Sequence, residues 1–295
     1  MKNTKQSNGF TLVELMITLA LSLGITYAIA QVLISSNRSS VTSDGLSQSQ
    51  ETGRFVMSFL ANVVRQGGLN SIGDIPKTTN PLISCTEFPG LMNFEGIAGN
   101  HQCSFDSILG GDPAINTGDR LAIAWIPPVP VDALNVEVPA LIRDCSGTGN
   151  FAANDIVLNV FWVAFDPASG MNSLFCRGHT FSGTVITRSN PAQAIANGVD
   201  SMHILYGEAT QPVPSPKNRN VSRYTHGGDP AAGGVSLANW DQVYAIKVSI
   251  LTRSLTQVTN SVALRRYVLL DAQPYTITDA VNRQVFNSSF VINNY

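Results

Sequence analysis

The residue types that most often perform chemistry are present in this 295-residue chain, but their spacing fits no familiar catalytic or metal site. Four histidines are scattered along it: His101, His179, His203 and His226. A zinc site typically takes its ligands from short, regular spacings, which these histidines lack. No G-x-S-x-G nucleophile elbow, phosphate-binding P-loop or H-E-x-x-H motif occurs. We therefore expect no metal, no cofactor and no enzymatic activity.

The chain has four cysteines, all beyond its apolar N-terminal segment: Cys85, Cys103, Cys145 and Cys176. No C-x-x-C pair occurs, which argues against a zinc ribbon or a thioredoxin-like site. An even number of cysteines in an exported chain is typical of disulfides, and four cysteines allow three connectivities. Joining nearest neighbours favours Cys85–Cys103 and Cys145–Cys176. Four reduced, buried thiols are the alternative.

One carboxylate, Glu14, lies inside a long apolar run. Phe10 to Ile34 is a stretch of 25 residues with Glu14 as its only charge. As a helix it would extend roughly 37 Å, enough to cross a hydrocarbon core of about 30 Å. An unpaired carboxylate is costly there, so Glu14 calls for a partner.

A short polar leader, Met1–Gly9, precedes this run and contains Lys2 and Lys5 but no acidic residue. These lysines favour a cytoplasmic N-terminus, which places the chain after about Asn37 across the inner membrane. The apolar run is longer than that of an ordinary secretory signal, and its distinctive residues come before it rather than after it.

The segment from Gly9 to Leu15, GFTLVEL, resembles the class III signal of type IV prepilins and of type II secretion pseudopilins. The resemblance implies that the prepilin peptidase cuts between Gly9 and Phe10 and methylates the new amine of Phe10. It also implies that Glu14, fifth in the mature chain, pairs with the amine of a neighbouring subunit. A buried carboxylate is tolerated when it is paired, so Glu14 would set the axial register between subunits.

Two features beyond Ile34 indicate that the helix continues. Phe55, Phe59 and Val63 form one apolar row at helical spacing, and an adjacent row runs beside it. Gly67-Gly68 then predicts the helix end. We expect a leader over 1–9, an N-terminal helix over 10–68 with 10–34 as its membrane and assembly segment, and a globular domain over 69–295.

The globular part has the composition of strands joined by long loops. Five segments are rich in β-branched and aromatic residues: Leu121–Ile126, Asp155–Phe165, Ser201–Tyr206, Gln242–Leu251 and Val285–Ile292. In the fourth, Tyr244, Ile246, Val248 and Ile250 alternate with polar residues and should share one face. Pro- and Gly-rich stretches predict loops at 127–130, 212–216 and 227–234.

A second resemblance, to PilW-like minor pilins, rests on short pieces that occur in order along the chain. They are Glu51–Phe55, Gly118–Leu121, Asp144-Cys145, Leu174–Gly178, Gly198–Gly207 and Val243–Ser254. The resemblance supports a bridge between Cys145 and Cys176. Cys85 and Cys103 lie outside these pieces, so their pairing rests on spacing alone.

Together these observations predict an α+β pilin fold, with one long N-terminal helix packed on a mostly antiparallel sheet with large loop insertions. The family resemblance implies a minor pilin that primes or joins type IV pilus assembly and supports twitching motility, adhesion or DNA uptake. A type II secretion pseudopilin is the nearest alternative. A tip adhesin that binds a surface or glycan through residues 209–236 is an alternative of another class.

Partners and location follow from the same resemblance. It implies other major and minor pilins, the prepilin peptidase and an inner-membrane assembly platform as partners. The subunit would sit in the inner membrane with a periplasmic C-terminal domain before assembly, and in the pilus afterwards. Charged residues make up only 13% of the chain and its net charge is −2, so no strongly basic field is present to hold nucleic acid.

Overall fold

The computed structural model describes residues 11–69, 116–128, 142–152, 155–182, 185–209, 220–226, 242–258 and 262–292. One helix, α1, spans Leu12–Gln66. The strands in these ranges are β1 Leu121–Trp125, β2 Asp155–Asp166, β3 Met171–Ser182, β4 Val185–Ser189, β5 Gln193–Asn197, β6 Val199–Ala209, β7 Val221–Thr225, β8 Val243–Arg253, β9 Ala263–Tyr267, β10 Tyr275–Asp279 and β11 Arg283–Val291. The predicted α+β class with a long N-terminal helix is confirmed.

Helix α1 ends where the glycine pair predicts. The Gly67 amide still bonds to the Val63 carbonyl, and Gly68 then takes a positive φ of 73°, a left-handed conformation that favours glycine. The Gly68 amide bonds to the Ala124 carbonyl, and the Ile126 amide bonds to the Leu69 carbonyl. The chain leaving the helix therefore pairs with the outer edge of β1.

The described strands form three antiparallel sheets, where we expected a single sheet. The first has the order β1-β2-β3-β4, with β5 also paired to β3, and the second has the order β11-β8-β6-β7. The third is the two-stranded sheet β10-β9. Most stretches predicted as long loops, including 212–216 and 227–234, lie outside the described residues.

The chain divides into two compact units, Met1–Asp44 and Gly45–Tyr295, so the boundary falls within α1 rather than at its end. In the second unit, α1 buries one stripe against both larger sheets. This core contains Val56, Leu60 and Val64 of α1 with Leu121, Phe161, Leu174, Met202, Ile204, Ile246 and Val248 of the strands. The last helical turns therefore carry the amphipathic pattern that the sequence predicts.

Strand β8 is covered on both faces, although the sequence indicated one buried face. Tyr244, Ile246, Val248 and Ile250 pack in the core beneath α1, as predicted. On the opposite face, Leu251 packs with Leu269, Tyr275 and Ile277. The β9–β10 sheet provides part of this cover, which explains why Ser249, a polar residue on that side of β8, is also buried.

Candidate assembly site

The predicted site residues at the extreme N-terminus are only partly described. Gly9 and Phe10 lie outside the described residues. Thr11 precedes α1 and its hydroxyl accepts a hydrogen bond from the Glu14 amide at 3.3 Å, as an N-capping residue does. Glu14 itself lies in the first turn of α1 and is exposed.

In the apolar half of α1, the Glu14 carboxylate has no hydrogen-bond or ion-pair partner among the described residues. Its hydroxyl side chains bond back to backbone carbonyls, from Thr18 to Leu15, from Ser22 to Leu19 and from Thr26 to Ser22. Within the described residues, no hydrogen bond or ion pair reaches the Glu14 carboxylate. An apolar helix can hide its hydroxyls in this way, but a carboxylate needs an external partner.

Every large apolar side chain described between Leu12 and Ile34 is exposed, from Leu12 at 76% to Ile34 at 48%. Of the described residues, α1 is the helix long and apolar enough to cross a membrane. Exposed apolar surface on this scale marks membrane contact or packing against other proteins. This segment and Glu14 form the candidate assembly site.

The second half of α1 docks through small residues that the sequence analysis did not single out. Gly45, Ser49 and Gly53 recur at four-residue spacing and are all buried. A Cβ at Gly45 would lie 2.2 Å from Val258 Cγ1, and a Cβ at Gly53 would lie 2.3 Å from Phe286 Cε2. The i, i+4 spacing was the available signal, because it places three small residues on one helix face.

Between these glycines, Ser49 joins the helix to the sheet by hydrogen bonds. Its hydroxyl lies 2.8 Å from the Thr252 hydroxyl, and the Thr252 hydroxyl also donates to the Ser49 carbonyl at 3.1 Å. Both residues are fully buried. Buried hydroxyls stabilise a contact when they are satisfied, so this pair fixes the height of α1 on β8.

A disulfide joins Cys145 to Cys176, with Cα atoms 6.2 Å apart. It anchors the loop before β2 to β3, and Asp144 organises that loop by accepting hydrogen bonds from the amides of Ser146 and Thr148. Burial raises the pKa of Asp144, against these hydrogen bonds, which lower it. Cys85 and Cys103 lie outside the described residues.

A buried polar network connects the strand entry at Asp119 with β6 and β10. His203 Nδ1 lies 3.4 Å from Asp119 Oδ1, and His203 Nε2 lies 2.7 Å from the Tyr275 hydroxyl. Ser201 donates to the same hydroxyl at 2.7 Å, and Asp119 Oδ2 accepts the Ile204 amide at 2.7 Å. Burial raises the pKa of Tyr275 to about 12, so its phenol stays neutral.

The composition of this network resembles catalytic machinery, but its location argues for a structural role. Asp119, Ser201, His203 and Tyr275 are each at most 1% exposed, so no substrate reaches them. Among the described residues, no group of three His, Cys, Asp or Glu could hold a metal ion. Trp125 and Trp162 are buried, whereas His101 and Trp240 lie outside the described residues.

Comparison with known proteins adds two family matches. The model of type IV pilus-assembly protein W matches residues 160–294, and that of the prokaryotic N-terminal methylation motif matches residues 4–23. Among solved structures, a type IV-like pilin from Thermus thermophilus aligns with a TM-score of 0.45 and 11% identity, over 84% of this chain and 96% of that one. None of the curated proteins matches this chain.

Proposed function

Because the chain is a PilW-like type IV pilin that carries the N-terminal methylation motif, we propose that it acts as a minor pilin, a structural subunit that primes or joins type IV pilus assembly. The observation that carries the proposal is the exposed apolar half of α1 with its unpartnered Glu14. This surface becomes stable when lipid or other helices cover it. Neighbouring pilins supply such helices in a filament.

Processing prepares this surface for assembly. The prepilin peptidase cuts between Gly9 and Phe10 and methylates the Phe10 amine, and that amine of one subunit pairs with Glu14 of the next. Before assembly the subunit is anchored in the inner membrane with its globular unit in the periplasm, where it meets the assembly platform. The intact mass of the pilus-associated protein tests the processing, because an N-terminus other than methylated Phe10 is incompatible with it.

The test of assembly compares Glu14→Ala with Glu51→Ala, an exposed glutamate in the polar part of the same helix. Removing Glu14 makes the segment more apolar, so membrane insertion and cellular level should be unchanged. Incorporation into sheared pili, or pilus number if the subunit primes assembly, should fall at least tenfold. Glu51→Ala should change neither quantity.

A Glu14→Ala variant with a normal cellular level and a normal fraction in pili would refute the pairing of Glu14 with a neighbouring subunit. A protein on an ordinary anchor would then describe the chain better. Loss of protein secretion with pili intact would instead favour the pseudopilin alternative. The adhesin alternative concerns residues 209–236, most of which lie outside the described residues.

A further inference from the structure

Strands and the turns beside them line a cleft of about 550 Å³ in the globular unit. Phe165 and Met171, at the β2–β3 turn, line one side of it, and Thr276 and Thr278 of β10 line another. Four consecutive residues of β10, from Thr276 to Asp279, line the cleft. This is what the edge of a strand presents, since each face presents only alternate residues. The cleft thus borders the unpaired edge of a described strand.

Four charged side chains line the same cleft and cancel one another. Arg283 donates from Nε to Asp200 at 2.5 Å and from Nη1 to Asp279 at 2.8 Å. Burial raises the pKa of Asp279, but the hydrogen bonds from Arg283 and the Val281 amide, together with the charges of Arg283 and Arg253, outweigh burial and leave the pKa below its ordinary value. With Arg253 as the fourth member, two cations and two anions give the cleft no net charge. An ionic ligand gains little here, whereas a neutral polar ligand meets fixed dipoles.

The ion pairs leave specific donors and acceptors unused. Arg253 Nη1 lies 4.0 Å from Asp200 Oδ1, which is too far for a direct hydrogen bond. Within the described residues, no hydrogen bond reaches Asp200 Oδ1 or the Arg253 Nη atoms. Asp200 is 2% exposed at its side chain, so this oxygen is held in place near the base of the cleft.

The 4.0 Å gap has the span of one bridging hydroxyl group. A hydroxyl that accepts from a guanidinium and donates to a carboxylate, with arms of about 2.8 Å, separates its two partners by roughly 4–4.6 Å. A carboxylate only accepts and a guanidinium only donates, so the hydroxyl is the group that satisfies both.

An aromatic ring lies beside these polar groups. Phe165 is 61% exposed, although the large apolar residues from Val157 to Val163 of the same strand are buried. The negative face of a phenyl ring attracts the slightly positive hydrogens of C–H bonds. A ligand with hydroxyls on its rim and C–H groups on its face meets both the ring and the ion pairs.

We propose that this cleft binds a neutral carbohydrate, with a pyranose face on Phe165 and a hydroxyl bridging Arg253 and Asp200. Sugars combine paired hydroxyls with an apolar C–H face, and neutral sugars match the cancelled charge. The residues that line this cleft all belong to the globular unit and none of them is part of the candidate assembly site, so we expect substitutions to separate ligand binding from assembly.

The experiment uses the full-length protein in lauryldimethylamine oxide, a detergent without a sugar headgroup. An array of neutral and acidic oligosaccharides identifies the retained glycan, and calorimetric titration with that free oligosaccharide gives its affinity. Phe165→Ala and Arg253→Gln should each weaken binding about tenfold, the scale of one lost aromatic or charged contact. Leu264→Ala, at a β9 residue that is 66% exposed and outside the cleft, should leave binding unchanged.

Three outcomes would overturn the proposal. One is an array on which the wild-type protein retains no glycan. Another is retention restricted to acidic glycans, which the cancelled charge does not explain. The third is an unchanged affinity in Phe165→Ala. Because Phe165 is exposed, this variant should keep the fold, so it tests the cleft even if Arg253→Gln unfolds the protein.

Discussion

Substituting Gly53 by alanine tests whether α1 docks through small residues. Two effects oppose each other at this position. Alanine in a helix interior gains about 1 kcal/mol over glycine. Its Cβ, however, would lie 2.3, 2.5 and 2.6 Å from three atoms of the Phe286 ring, far inside contact distance. Overpacking of this kind costs about 1–3 kcal/mol.

The structure indicates that overpacking wins. To reach ordinary contact, the ring or the helix must shift by roughly 1 Å, and neither is free to do so. Phe286 is paired with Ile250 in the β11–β8 register, and the Ser49–Thr252 hydrogen bond fixes the helix one turn away. Contacts this short place the overpacking cost at the upper end of its range, about 2–3 kcal/mol. After the gain of about 1 kcal/mol in helix propensity, we expect Gly53→Ala to lower the free energy of unfolding by about 1–2 kcal/mol.

Urea unfolding of the full-length protein in detergent micelles, followed by the fluorescence of buried Trp125 and Trp162, measures this free energy. Ser58→Ala, on the exposed side of the same helix, is the control for helix propensity and should be neutral or slightly stabilising. Adding Phe286→Leu should make room for the new methyl group, with a coupling energy of at least about 1 kcal/mol. A Gly53→Ala variant as stable as wild type, or a double mutant without coupling, would refute the tight contact.

Two further predictions concern pH and the cysteines. Burial, aided by a neighbouring arginine, lowers the pKa of His179 to about 4. As the pH falls below 6.5, the unfolded chain therefore binds a proton at this histidine that the folded chain does not bind until about pH 4. The free energy of unfolding should therefore fall by about 3 kcal/mol as the pH drops from 6.5 to 4. His179→Gln should flatten the plot of urea midpoint against pH over this range. Plots of the same shape for the variant and the wild type would contradict the prediction. Non-reducing peptide mapping should recover Cys145 linked to Cys176 and Cys85 linked to Cys103, each bridge contributing about 3–4 kcal/mol; free thiols or a Cys103–Cys145 peptide would contradict this pairing.

The helix and the most apolar strands were predictable because local pattern and burial agree there. Gly67-Gly68 ends α1 within two residues of the expected position. Strand β2 spans Asp155–Asp166 where Asp155–Phe165 was predicted, and β8 extends the predicted segment by two residues to Arg253. These segments combine β-branched or aromatic residues with burial, so propensity and packing favour the same structure.

Strand β3 was missed because its strand-forming residues, such as Phe175 and Phe181, are interrupted by glycine and by polar residues. Met171–Ser182 contains Gly178, Arg177 and His179, yet it is the central strand of the first sheet. Pairing with β2 along all 12 residues overrides propensity. A turn signal was available, because Gly170 takes a φ of 70° and its amide bonds to the Asp166 carbonyl, closing the β2–β3 hairpin.

Strands β9 and β10 were missed for a different reason. β9 has the sequence ALRRY, which contains two arginines, and its residues alternate in exposure. The strand is stabilised by the residues packed beneath it rather than by the strand propensity of its own residues. Tyr275 of its partner β10 enters the buried network with His203. A contact between residues 72 positions apart leaves no signal in local pattern, so neither the third sheet nor the cleft beside it could be read from the sequence.

The pieces that carry the minor-pilin resemblance meet in space as structural contacts. Gly118, at a φ of 90°, bridges to Met202 of β6, and a Cβ there would lie 2.1 Å from the Met202 carbonyl oxygen. A Cβ at Gly178 would likewise lie 2.3 Å from Asp144 Oδ2. These glycines are required by close approach, so the resemblance marks how the sheets join rather than where chemistry occurs.

This distinction decides which substitutions are informative. Asp200 lies within one of those pieces and bonds to Arg283, so replacing it would leave a buried guanidinium short of a partner and damage the fold and the cleft together. Phe165 lies outside the pieces and is largely exposed, so its loss affects the cleft alone. Glu14 lies in the apolar half of α1, whereas Gly53 packs so closely against Phe286 that no space is left for a Cβ. Substitutions at Phe165, Glu14 and Gly53 should therefore separate ligand binding, assembly and folding, each altering one property and leaving the other two unchanged.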